Sequence, residues 1–86
     1  MNPQESEIQF PIDWQFRIIT EQVKNIHLAI EAVFSELGVQ SKVVPQNQSE
    51  SGRYQSFSVD VVLTSRELMN QIDREVRAIA GVKMIL

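Results

Sequence analysis

The sequence contains no cysteine and a single histidine, His27. Without cysteine the chain can form no disulfide, no thiolate nucleophile and no cysteine-ligated metal site. One histidine cannot supply the several ligands that a transition metal takes, so we predict no metal site and no cofactor. His27 adjoins an apolar stripe and lacks the further groups of a catalytic arrangement. We therefore interpret it as a boundary histidine near solvent.

Glycine is also scarce, since Gly38, Gly52 and Gly81 are the only three and lie far apart. A phosphate cradle of the acylphosphatase kind combines a glycine-rich loop with an arginine. The nearest approach to such a loop is Gly52 followed by Arg53, which we interpret as a turn glycine beside a solvated arginine. We predict no enzyme activity and keep a small-anion enzyme of acylphosphatase type, using Arg17 or Arg53, as an alternative function.

No apolar run approaches the ~20 residues that span a bilayer. Residues 1–9 are polar and acidic, without the basic start and apolar stretch of a signal peptide. We predict that residues 1–9 form a flexible polar tail and that residues 10–86 form one domain. The expected location is the cytoplasm, with no membrane partner.

The chain has no excess of positive charge. Eight Lys and Arg stand against eleven Asp and Glu, the formal net charge is −3, and the basic residues are scattered from Arg17 to Lys83. Proteins that bind nucleic acid by releasing counterions from phosphates usually carry a basic patch or stripe. The charge pattern therefore disfavours nucleic acid as a partner.

The pattern that is present alternates strands with helices. Apolar and polar residues alternate over 14–20, which indicates a first strand. Apolar residues then recur at helical spacing over 25–37, and Gly38 follows where a helix end favours left-handed backbone. A short strand over 39–44 should lie at a sheet edge, because Pro45 cannot donate to a ladder. A polar hairpin loop over 46–52 follows.

A third strand over 54–63 precedes a second helix. We predict that this helix begins with Thr64 as N-cap, with Glu67 completing a capping box, and that it ends at Gly81. Residues 82–86 form the last strand. The order β-α-β-β-α-β predicts an α+β, ferredoxin-like sandwich: a four-stranded antiparallel sheet of order 4-1-3-2 with both helices on one face.

The face of the sheet away from the helices should be bare. Successive strand residues alternate sides, and the apolar side must meet the helices. The outward residues are then Tyr54, Ser56, Ser58, Asp60 and Val62 of the third strand with Gln15, Arg17 and Ile19 of the first. A single tyrosine is no platform for stacking RNA bases, so an RNA-binding module is kept only as an alternative. We expect Asp60 to pair with Arg17, and Ile19 with Val62 to seed a modest contact patch.

Three stretches together resemble the YbeD-like family of small bacterial proteins of unknown function. The most specific are Phe10-Pro11, the spacing Gly52-x-Tyr54-x-Ser56, and residues 82–86. The resemblance spans residues 10–86 and implies a ferredoxin-like fold similar to the ACT regulatory domains that sense amino acids. Family naming also implies a regulatory link to lipoate metabolism. The turn over 20–25 contains no glycine, whereas ACT domains carry a glycine-rich ligand turn there.

These observations predict a non-catalytic regulatory or binding module. Its partner would be an unknown protein or a small ligand, and edge strands 2 and 4 could pair with a second copy to give a homodimer. The candidate binding residues lie on the bare face and in the hairpin loop: Arg17, Arg53, Tyr54, Ser56, Ser58 and Asp60.

Overall fold

A computed structural model describes residues 9–86 and contains four strands and two helices. The predicted tail therefore lies, except for Gln9, outside the described residues. In chain order the elements are β1 Ile12–Glu21, α1 Ile26–Glu36, β2 Lys42–Gln48, β3 Tyr54–Leu63, α2 Arg66–Arg77 and β4 Val82–Ile85. The strands form one antiparallel sheet in the order β2-β3-β1-β4. This is the predicted order 4-1-3-2, and it confirms the ferredoxin-like class.

The two long central strands, β1 and β3, set the faces of the sheet. They pair over their whole length, from Ile12 opposite Leu63 to Glu21 opposite Tyr54. Phe57 and Val59 are buried on the helix side, as the alternation predicted. The buried core joins this side of the sheet to the two helices and comprises Phe16, Ile18, Ile26, Ile30, Phe34, Phe57, Val59, Val61, Leu63, Ile72, Val76 and Ile85.

Aromatic packing links β1 to α1. The ring of Phe16 lies 6.1 Å from that of Phe34 and 6.4 Å from that of Trp14, measured between centroids. Only the contact between Phe16 and Phe34 joins the two elements, because Trp14 and Phe16 both lie on β1. Burying a side chain of this size contributes about 1.5–3 kcal/mol. The indole Nε1 of Trp14 is buried and has no hydrogen-bond partner in the part of the chain that the structure describes.

The end of α1 follows the prediction closely. Gly38 has φ 73°, its N–H donates to the Ser35 carbonyl at 3.0 Å, and the Val39 N–H donates to the Phe34 carbonyl at 2.9 Å. This pair of bonds is a Schellman motif, which satisfies carbonyls that the helix leaves without partners. The glycine thus turns the chain towards β2.

Both ends of α2 correct the sequence-based prediction. Ser65, not Thr64, is the N-cap: it is extended, and its Oγ accepts the Leu68 N–H at 3.1 Å. Both residue types cap helices well, and β3 continues to Leu63, which leaves Thr64 as an exposed link. The helix ends at Arg77 rather than at Gly81. Gly81 instead occupies a turn in which the Val82 N–H donates to the Ile79 carbonyl at 3.1 Å.

The boundaries of β2 are also different from those predicted. The strand covers Lys42–Gln48 instead of 39–44, and it continues through Pro45 by a register shift before Gln48. Its second half is polar, and side chains of β3 replace part of the ladder there: Ser56 Oγ accepts the Asn47 N–H at 3.1 Å. The hairpin loop is correspondingly shorter. The predicted edge position of β2 is confirmed.

Candidate functional site

The open face is defined here as the sheet face away from α1 and α2. The strand register places there Asp13, Gln15, Arg17, Ile19, Glu21, Lys42, Val44, Tyr54, Ser56, Ser58, Asp60, Val62 and Met84. Every predicted open-face residue therefore lies on the predicted side. Their spacing along the strands decides which of them can act together.

Arg17 lies near the middle of the open face. Its strand neighbours are Ser58 on β3 and Leu86, whose backbone exchanges two hydrogen bonds with that of Arg17 at 3.1 and 2.8 Å. Arg17 is exposed and makes no salt bridge within 4.0 Å among residues 9–86. A charged group that is accessible and has no ion-pair partner in this range can bind an acceptor on another molecule.

Asp60 does not pair with Arg17, which corrects the sequence-based expectation. The register sets Asp60 opposite Gln15, and the Gln15 amide Nε2 donates to Asp60 Oδ1 at 2.9 Å. Arg17 lies one step further along the same face, opposite Ser58. Alternation predicts the side of the sheet on which a residue lies, but only the pairing of the two strands decides which residues stand opposite each other.

Ser56 and Ser58 form hydrogen bonds with residues of the edge strand β2. The Gln46 Nε2 donates to Ser58 Oγ at 3.0 Å, and the Ser56 hydroxyl both accepts the Asn47 N–H and donates to the Asn47 carbonyl at 3.2 Å. Ser58 is buried. The two hydroxyls therefore bond to the irregular end of β2 and help to hold it in place.

Tyr54 and Arg53 lie at the hairpin end of the face, far from Asp60. Tyr54 stands opposite Glu21, and the backbone N–H of Arg53 donates to Ser51 Oγ at 3.3 Å. Asp60 lies six positions after Tyr54 on β3, which is about 20 Å at the usual rise. The structure thus spreads the predicted candidates over the length of the sheet, and of them only Ser58 stands directly opposite Arg17.

An exposed apolar cluster beside Arg17 was not predicted. Met84 stands opposite Ile19, next to a bulge that shifts the β1–β4 pairing between Ile19 and Thr20, and Leu86 adjoins Arg17. Met84 is 44% exposed and Leu86 63% exposed. We call Arg17, Ile19, Met84 and Leu86 the Arg17 patch. In sequence, residues 82–86 are almost continuously apolar, so alternation gave no sign of which side chains face outward.

Ile19 and Val62 do not form the contact patch expected from the sequence. Val62 is 52% exposed, but its partner on β1 is Asp13, whereas Ile19 stands opposite Ser56. The two side chains are therefore about 20 Å apart along the sheet. Ile19 has Met84 as its apolar neighbour instead.

Other chemistry is limited in the part of the chain that the structure describes. Within residues 9–86 there is no group of three His, Asp or Glu side chains arranged to hold a metal ion. His27 is exposed on α1, as predicted. Within the same residues, neither helix is both long and apolar enough to cross a bilayer.

Solved structures first identify the class of fold. Protein HP0495 from Helicobacter pylori is similar with a TM-score of 0.82 at 19% identity, over 100% of this chain and 96% of that chain. The ACT domain of GTP pyrophosphokinase from Chlorobium tepidum is similar with a TM-score of 0.71 at 13% identity, over 87% of this chain and 95% of that chain. The fold is therefore ACT-like.

Sequence comparison then identifies the family. The chain belongs to the protein family of unknown function DUF493, whose sequence profile matches residues 5–86. It is 28% identical over 82 residues to a UPF0250 protein of Pseudomonas fluorescens, covering 93% of this chain and 90% of the relative. A UPF0250 protein of Shewanella halifaxensis is 27% identical over 79 residues, 92% and 90% of the two chains. The resemblance to the YbeD-like family is confirmed.

Proposed function

We propose that this protein is a non-catalytic regulatory or binding module that engages a partner protein through the Arg17 patch. The observation that carries the proposal is an exposed arginine, without a salt bridge among residues 9–86, beside exposed apolar side chains on the face that no helix covers. The ACT-like fold agrees with a regulatory role by analogy, but one fold hosts many functions, so the proposal rests on the patch itself.

The composition of the patch favours a protein partner. Arginine and methionine are enriched in protein interfaces, and a few such anchors usually carry most of the binding energy. Leu86 and Met84 offer apolar area, and Arg17 offers donors suited to a carboxylate. The patch is small and has polar neighbours such as Ser58, which suits a partner that binds and leaves rather than a permanent subunit.

The open face gives less support to the alternative function, an enzyme of acylphosphatase type. An acylphosphatase-type reaction would need an oriented phosphate cradle near Arg17 or Arg53, and the nearby hydroxyls of Ser56 and Ser58 are bonded to β2. The regulatory link to lipoate metabolism and the cytoplasmic location stay predictions. A partner drawn from that metabolism would support the link.

A homodimer through edge strands also stays a prediction, and both edges carry features that oppose it. On β2, Pro45 lacks an N–H and a register shift follows it. On the short strand β4, Arg77 Nη2 donates to the Ile85 carbonyl at 3.4 Å and so covers part of the edge. Such features limit the pairing of exposed strands between molecules.

The proposal is tested by affinity capture from a bacterial lysate with matched variants. Arg17→Ala and Met84→Ala should each lower recovery of the same partner at least about tenfold, as truncation of an interface anchor does. Arg74→Ala removes an exposed arginine from α2 and should leave recovery unchanged. If both patch variants recover the partner as well as the unaltered protein, the patch is not the binding site. Hydrolysis of an acyl phosphate that depends on Arg17 would instead support the enzyme alternative.

A further inference from the structure

A cleft of about 900 Å³ lies at the opposite end of the molecule from the β1–α1 turn. The start of β1, the end of β3, the turn over 37–40 and the beginning of α2 surround it. The cleft exists because β2 begins at Lys42 opposite Asp60, so the last residues of β3 have no strand on that side. The turn after α1 closes the corner instead.

The walls of the cleft are largely apolar. Trp14, Leu37 and Val39 are half-buried side chains packed on the edge of the core, and the other apolar residues of the lining are Val61, Val62 and Leu68. Concave sites of about 300–1,000 Å³ with apolar walls and a few polar groups are typical of small-molecule binding. The volume and lining therefore suit a small ligand with an apolar body.

The charges at the cleft are all of one sign. Asp13 and Asp60 are exposed on its rim, and no lysine, arginine or histidine contributes to the described lining. The bond from Gln15 Nε2, at 2.9 Å, holds the Asp60 carboxylate in place. Lys42 is the strand neighbour of Asp60 but forms no salt bridge with it within 4.0 Å, among the residues described. Two like carboxylates beside apolar walls make a negative potential that attracts a cation.

We propose that this cleft is a binding site for a small organic cation, an alkyl- or arylalkyl-ammonium. The apolar body packs against Leu37 and Val39, and the ammonium lies between Asp60 and Asp13. Trp14 lines the cleft from the helix side of the sheet, opposite to the side of the two carboxylates, so it reports on binding without contacting the ammonium. This site shares no residue with the Arg17 patch, and either proposal can fail without the other.

The probe is phenethylammonium, compared with two molecules of similar shape: neutral 2-phenylethanol and anionic 3-phenylpropionate. Trp14 is the only tryptophan of the chain, so its fluorescence reports directly on the cleft. We expect saturable binding of the cation with a dissociation constant on the order of 1 mM, a fair value for so small a probe. The alcohol should bind at least about fivefold more weakly, and the anion more weakly still.

Matched variants test which carboxylates bind the ammonium group of the probe. Asp60→Asn and Asp13→Asn should each weaken phenethylammonium binding about 3- to 10-fold, and added salt should weaken it further. Glu75→Gln removes the same charge from an exposed position of α2 outside the cleft and should change nothing. Amide shifts in the NMR spectrum check that each variant is folded and that the probe contacts the residues around the cleft.

Several results would overturn the proposal. The alcohol or the anion binding as tightly as the cation would show that charge is not recognised. Equal losses in Glu75→Gln and Asp60→Asn would mean that net charge, and not the cleft, attracts the probe. Shifts confined to residues outside the cleft, or no saturable response, would place the cation elsewhere or nowhere.

Discussion

Gly81 shows how one residue can be required by its surroundings. Its φ is 98°, and its carbonyl accepts the Glu21 N–H at 2.7 Å. A Cβ at this position would lie 2.8 Å from Val23 Cγ2 and 3.1 Å from Ile26 Cδ1. Gly52 also has a positive φ, 72°, but a Cβ there would meet nothing within 4 Å. Replacing each glycine by alanine therefore separates two costs in stability: the cost of a positive φ, which both positions share, and the cost of a steric clash, which only Gly81 has.

We predict that Gly81→Ala lowers the free energy of unfolding by about 2–3 kcal/mol, and Gly52→Ala by about 1 kcal/mol. Both variants lose the ease with which glycine adopts positive φ, and only the first forces the side chain of Val23 to shift. Urea denaturation of the two variants and the unaltered protein measures the difference. Equal losses would show that the close approach at Gly81 is relieved without cost.

At the scale of an element, the start of α2 shows which of two similar neighbouring residues caps the helix. Thr64 and Ser65 are adjacent, and both types are good N-caps. The structure assigns the cap to Ser65, which makes Glu67 the second residue of the helix rather than the partner in a capping box. Sequence pattern predicted that a helix starts here, and the pairing of β3 to its last residue decided where.

We predict that Ser65→Ala lowers the free energy of unfolding by about 1 kcal/mol, because the Leu68 N–H loses its acceptor. Thr64→Ala should change it by less than about 0.5 kcal/mol, since Thr64 is exposed. Thermal or urea unfolding of the pair checks this. A larger loss of unfolding free energy in Thr64→Ala than in Ser65→Ala would mean that Thr64 is the N-cap and that it forms a capping box with Glu67.

Some features of the helices and strands could be predicted from the sequence, and others could not. The stripe of α1 and the Schellman end at Gly38 were predictable, because helical spacing and a glycine after it are local signals. The second half of β2 was not, because a polar Gln-Asn-Gln run is typical of a loop. It is a strand here because Ser56 and Gln55 of β3 offer bonds to Asn47. Those partners are known only once the hairpin has formed.

At the scale of the whole molecule, the sheet has one covered face and one open face. Ile18 and Ile19 are adjacent on β1 and identical in type, yet Ile18 is fully buried beneath the helices and Ile19 lies on the open face. A domain of this size has a net stability of about 4–13 kcal/mol, so a single core position can decide whether it folds.

We predict that Ile18→Ala lowers the free energy of unfolding by about 2–5 kcal/mol, and Ile19→Ala by less than about 1 kcal/mol. The first leaves a cavity in the core, and the second removes a partly exposed side chain. Chemical denaturation measures both, and Ile18→Val, at about 0.5–1.5 kcal/mol, keeps the comparison possible if the alanine variant does not fold. Similar losses at the two positions would mean that the open face is covered in solution.

The sequence by itself determined the order of the elements, the ferredoxin-like topology and the side of the sheet on which each central-strand residue lies. These follow from periodicity, which is a property of neighbouring residues. The tertiary structure alone decided that Asp60 meets Gln15 rather than Arg17, that Met84 pairs with Ile19 on the open face, and that a cleft remains beyond the first residue of β2. Each depends on the register between strands distant in the chain, and a change of pairing leaves the local pattern of the sequence unaltered.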